Sequence, residues 1–143
     1  QRQMCIRDSN YTENYYKDLL DANKNIIISS PAISGQKVYE LINMLKEKQA
    51  SGVQITIVTW TPDSYGFGDA AYWMQLHEDM CKAGFYIKTV EESCERFAVI
   101  DQEVVWYGNI NLLAKTKVDD SIMRVLSNEI AGELMEITFG DNS

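Results

Sequence analysis

Few of the residues that build active sites or nucleic-acid surfaces occur in this chain. Its only histidine, His77, sits inside a helical pattern, where a histidine is more often a surface or packing residue than a catalyst. The cysteines, Cys5, Cys81 and Cys94, are odd in number and widely spaced, which fits neither a disulfide framework nor a zinc pattern. Reduced thiols are therefore expected, with no metal and no cofactor. Lys and Arg total 13 against 21 Asp and Glu, and no cluster of four or more basic residues occurs. A net charge of −8 repels phosphate backbones, so any phosphate contact must be local rather than a broad basic surface. No stretch approaches the roughly 20 apolar residues of a membrane span, and the start lacks the apolar run of a secretory signal. No membrane association and a cytoplasmic location are expected.

What is present is enough for one core. Hydrophobic residues make up 45% and charged residues 24% of 143 residues, the balance of a folded globular domain. Residues 1–9 are set apart. Met4-Cys5-Ile6-Arg7-Asp8 back-translates readily into a transposon adapter of the kind used in sequencing libraries, and both flanks agree. The segment is expected to be non-native and is excluded from fold reasoning, with the natural chain beginning upstream; the plainer alternative is a disordered terminus. Residues 10–143 form the single expected domain.

Along that domain, Asn10 and Glu13 resemble a capping box, with Tyr15, Leu19 and Ala22 on one face of a helix over residues 11–22. Residues 25–29 are a β-branched run stopped by Ser30-Pro31. Val38, Leu41, Ile42 and Leu45 mark a helix over 36–50, with Gly52 placed to cap it. Residues 53–59 read as a strand ended by Thr61-Pro62-Asp63, and a loop containing Gly66 and Gly68 follows. A helix over 69–83 precedes Gly84; Tyr72, Trp73 and Met74 within it read as packing residues rather than a stacking platform. A short strand over 85–90 leads to a hairpin, 96–100 and 103–107, turned by Asp101-Gln102. A strand over 121–126 and a helix over 129–136 close the chain. Helix–strand alternation followed by a hairpin predicts an α/β fold, a mixed sheet flanked by helices on both faces. Ligands in such sheets gather at the strands' C-terminal edge.

The hairpin carries the pattern Cys94-x-Arg96-x4-Asp101-x6-Gly108-Asn109-x-Asn111. Its spacing resembles the phospholipase-D-like signature, His-x-Lys-x4-Asp followed by Gly-Ser-x-Asn. Phe97 to Asp101, Val104 to Gly108 and the exit Ser29-Ser30-Pro31 are also similar to that family, particularly to versions found with helicases and nucleases. The resemblance implies a phospholipase D-like half-domain in which a histidine attacks phosphorus and a lysine holds a non-bridging oxygen. Here those two positions are Cys94 and Arg96, and a guanidinium can hold phosphate through a bidentate fork. The family serine becomes Asn109, Asn111 is retained, and the glutamate that orients the histidine falls near Met123. The resemblance thus implies Cys94, Arg96 and Asp101 as catalytic positions, and Arg96, Asn109, Asn111, Ser29 and Ser30 as phosphate-binding ones.

Plainer roles compete at each position. Cys94 can be a small half-buried residue, Arg96 an ion-pair partner, Asp101 a turn residue and Asn111 a cap. The paired acids Glu91-Glu92 and Asp119-Asp120 read as solvated loop charges. The leading expectation is a phosphodiesterase-derived domain of a nucleic-acid-processing protein, binding phosphate with hydrolysis lost or impaired. The alternatives are a non-catalytic dimerisation or interaction module, and a divergent enzyme using Cys94 or a partner's motif. Its expected partners are a phosphodiester or phosphate-containing ligand, nucleic acid through a larger parent protein, and a second copy or second half-domain.

Overall fold

The computed structural model describes residues 2–61, 70–91, 94–114 and 121–139. The predicted turn at Pro62-Asp63, the glycines 66 and 68, Glu92 and the pair Asp119-Asp120 lie outside the described residues. Among the described residues, seven strands form one sheet: β1 (Arg2–Arg7), β2 (Asn25–Ser29), β3 (Gln54–Trp60), β4 (Tyr86–Val90), β5 (Phe97–Ile100), β6 (Val104–Gly108) and β7 (Ser121–Leu126), in the spatial order β1-β7-β6-β5-β2-β3-β4. β2, β3 and β4 run parallel, and every other pairing is antiparallel. The helices are α1 (Asp8–Leu20), α2 (Gly35–Ala50), α3 (Ala70–Lys82) and α4 (Asn128–Phe139).

Alternation along the strands divides the core in two. Ile26, Ile28, Ile55 and Ile57 pack with Leu19 of α1, Leu41 and Leu45 of α2, and Leu76 and Met80 of α3. Ile27, Val58, Phe97, Val99 and Val105 point the other way and pack against Ala131, Ile130 and Leu134 of α4. The sheet is mixed and covered on both faces, three helices on one side and one on the other, as the pattern of elements predicts.

Local chemistry accounts for the boundaries. Ser34 caps α2 by accepting from the Lys37 amide, and Gly52 and Gly84, at φ 108° and 93°, take the left-handed conformation after α2 and α3. Asp101 and Gln102 are also at positive φ, 56° and 61°, and the Glu103 amide donates to the Ile100 carbonyl, which closes the hairpin turn.

One expectation is corrected, on α3, and the segment set apart in the sequence carries a strand. Arg2–Arg7 pairs antiparallel with β7 from Arg2 opposite Leu126 to Arg7 opposite Ser121, and α1 starts at Asp8. Backbone pairing demands little of sequence, so this placement is compatible with many segments. Of the aromatic cluster on α3, Trp73 packs against the core, but Tyr72 and Met74 are 51% and 59% exposed. Consecutive helix positions turn by about 100°, so 72, 73 and 74 cannot share one buried face.

Candidate functional site

Strand direction determines which signature residues can meet. β5 runs antiparallel to both β2 and β6, so the C-terminal end of β2, the entry to β5 and the exit of β6 share one sheet edge. Ser29, Cys94, Arg96 and Asn111 come to that edge. The turn residue Asp101 lies at the far end of the hairpin, five residues from Arg96 and therefore about 16 Å along an extended chain.

At the shared edge the Arg96 Nε donates to the Asn111 Oδ1 at 3.2 Å, and the same oxygen accepts from the Ala32 amide at 3.5 Å. Asn111 thus ties Arg96 to the loop leaving β2. The Arg96 side chain is exposed and makes no ion pair among the described residues, which leaves its terminal nitrogens available as donors. Cys94 Sγ lies 3.5 Å from Ser29 Oγ, whose hydroxyl donates to the Glu95 carbonyl at 2.5 Å. Burial pushes the Cys94 thiol up from its ordinary pKa; the Ser29 contact and the Arg96 charge pull it down, while Glu95 raises it further. The net effect holds Cys94 as a neutral thiol, the poorer nucleophile.

Three predicted residues are committed elsewhere. The Asp101 carboxylate accepts from the amides of Asn23, Lys24 and Asn25, at 2.7–3.2 Å, and clamps the start of β2 to the hairpin turn. Ser30 is fully buried, donating to the Ala32 carbonyl and accepting from the Leu113 amide, so its hydroxyl is spent on the loop. Asn109 is exposed, but its side-chain carbonyl accepts from the Ser121 amide at 2.8 Å, which leaves only its NH2 for a ligand. Met123, at the position expected for the family glutamate, pairs across the sheet with Tyr107. Gly108 has a steric reason: a Cβ there would lie 2.3 Å from the Ser121 carbonyl oxygen and 2.8 Å from the Ile122 Cα.

His77 sits on α3, on the three-helix face. Its Nε2 is buried without a hydrogen-bond partner among the described residues, and burial lowers its pKa. Among the described residues, no hydrogen bond or ion pair connects it to the edge that holds Arg96. Among the described residues, no three His, Cys, Asp or Glu side chains come together in a group that could hold a metal. No described helix is long and apolar enough to cross a membrane.

Sequence reasoning missed two features. Asp18 accepts from the Trp106 Nε1 at 2.7 Å and from two nitrogens of Arg124 at 2.6 and 3.1 Å, joining α1 to β6 and β7. The other is a cavity of about 320 Å³ between the hairpin and α4, with Arg96 at its mouth. Its signal was present in the apolar spacing of Ile130 and Leu134.

The family model described as cardiolipin synthase, PLD-like domain matches residues 15–138. No curated protein sequence matches the chain. Among solved structures, the phospholipase D family member Nuc from Salmonella typhimurium is 12% identical, with a TM-score of 0.66, covering 95% of this chain and 90% of that one. NucT from Helicobacter pylori is 9% identical at a TM-score of 0.65, covering 95% and 92%. TrmBL2, an archaeal chromatin protein described with a novel mode of DNA binding, is 14% identical at 0.64, covering 96% of this chain and 50% of that one.

Proposed function

Because the chain belongs to the phospholipase-D-like domain family, we propose that its sheet edge retains phosphate binding while hydrolysis is lost or strongly impaired, within a protein that processes nucleic acid. The observation that carries this reading is the exposed Arg96, oriented by Asn111 and set beside a half-buried neutral Cys94 where the family has its histidine. A guanidinium with free terminal nitrogens holds a tetrahedral anion well, whereas a thiol kept protonated by burial is a weak attacking group. Binding therefore outlasts chemistry. The reading narrows the phosphate set to Arg96, Asn111 and the Asn109 NH2, and assigns Ser30 and Asp101 to the scaffold. The likeness to a chromatin protein described as DNA-binding supports a nucleic-acid setting. With a net charge of −8, contact with nucleic acid falls to a larger parent protein.

The test is calorimetric titration with tungstate, alongside turnover of a generic phosphodiester. The parent should bind tungstate without turnover, Arg96→Ala should weaken binding by about tenfold, the worth of a charged hydrogen bond, and Cys94→His with Arg96→Lys should regain measurable hydrolysis. No binding by the parent, or binding untouched by Arg96→Ala, overturns the reading.

The signature occurs once, and the family assembles a site from two copies, so pairing with a second copy or half-domain forms part of the same proposal. Ile137 and Phe139 of α4, 67% and 37% exposed, offer apolar area for it. Light scattering over a concentration series should show a dimer, and a strict monomer throughout would count against self-pairing.

A further inference from the structure

The cavity between the hairpin and α4 differs in character from the polar edge it adjoins. Its walls are Phe97 and Tyr107 on the sheet side and Ile130 and Leu134 on the helix side. Gly108 leaves one end without a side chain, and Arg96 and Glu95 stand at the mouth. Its volume, about 320 Å³, lies at the lower end of the range for small-molecule pockets. Chain adjacency explains the proximity: Phe97 faces α4, and Arg96 directly precedes it, just outside β5 and free of the strand's alternation.

We propose that this cavity is an apolar subsite of the phosphate site, and that the ligand is an organophosphate whose apolar or aromatic substituent enters it while Arg96 holds the phosphate. The inference rests on the phosphate reading above and specifies what lies beyond the phosphorus. Charge complementarity gives the orientation. Glu95 at the mouth repels an anion, so the phosphate seats on the Arg96 side and the neutral substituent turns inward, where no described lining side chain deeper than the mouth carries a charge. A hydrophilic substituent would lose its water against Ile130 and Leu134 with no charged partner in the wall, whereas a ring gains by leaving water.

The test compares ligands of one charge. Calorimetry on the full chain with inorganic phosphate, methyl phosphate and phenyl phosphate should give similar affinities for the first two and binding about tenfold tighter or more for the third, the expected return on burying a ring. Leu134→Trp, which fills the cavity, should remove the phenyl advantage while leaving methyl phosphate binding unchanged. Because a tryptophan can disturb packing, Leu134→Ala serves as the second variant and should favour a bulkier aryl phosphate over phenyl phosphate. Arg96→Ala should weaken all three ligands. Equal affinities for methyl and phenyl phosphate, with both lost in Arg96→Ala, would overturn the subsite and leave the phosphate reading standing. Failure of the parent to bind any of the three would remove both. A phenyl advantage that survives Leu134→Trp would place the ring elsewhere and also overturn the subsite.

Discussion

At the scale of single residues, one spacing pattern holds two kinds of side chain that the sequence cannot separate. Arg96 and Asp101 belong to the same signature, yet β5 carries the chain from one sheet edge to the other between them. Asp101 spends its carboxylate on the amides of Asn23, Lys24 and Asn25, and the turn it occupies is at positive φ, which aspartate tolerates better than most residues. The proposed reading makes its role architectural. Asp101→Ala should cost about 2 kcal/mol in urea unfolding, because three backbone donors lose a charged acceptor, while tungstate affinity at the distant Arg96 should stay within about twofold in whatever fraction is folded. A folded Asp101→Ala protein that no longer binds tungstate would return Asp101 to the site. Ser30 shows the same: it is fully buried, donates to the Ala32 carbonyl and accepts from the Leu113 amide, which its type and position in the sequence do not reveal. Hydrogen-bond saturation is a property of packing, and a linear pattern does not display it.

At the scale of elements, most boundaries were legible because the signals are local. Glycines after α2 and α3, a proline after β2 and β-branched runs in β2 and β3 each act within a few residues of where they lie. What escaped was contact across great sequence distance. Asp18 and Arg124 stand 106 positions apart, and their ion pair, 14% and 25% exposed, became visible only once α1 lay across β6 and β7. Trp106 shows the two levels together: it is fully buried on β6, but its indole donor finds its acceptor on another element. The candidate site divides in the same way. Arg96 and Asn111 could be placed at one edge from strand direction alone, whereas the cavity beside them depends on how α4 packs, which no motif encodes.

At the scale of the whole molecule, the sheet ends on β1 at one side and β4 at the other, and the first of these edges is the less expected. The family match begins at residue 15, beyond β1 and the first turn of α1. Backbone pairing to β7 holds β1 in the sheet along its whole length. Such pairing still has consequences, because β7 carries Ile122 and Val125, one to each core, and an uncovered β7 would present an apolar edge to solvent. A chain beginning at Asp8 should therefore keep its fold, since the described residues of both core clusters all lie from Tyr11 onward. It should melt lower, by about 4 °C for each kcal/mol of lost pairing, and should associate more strongly as its protein concentration rises. Circular dichroism melts and size-exclusion chromatography of the two lengths make the comparison. An unchanged midpoint with unchanged elution would show that β1 contributes nothing to the domain, while loss of the native spectrum would show that Arg2–Arg7 is integral to it.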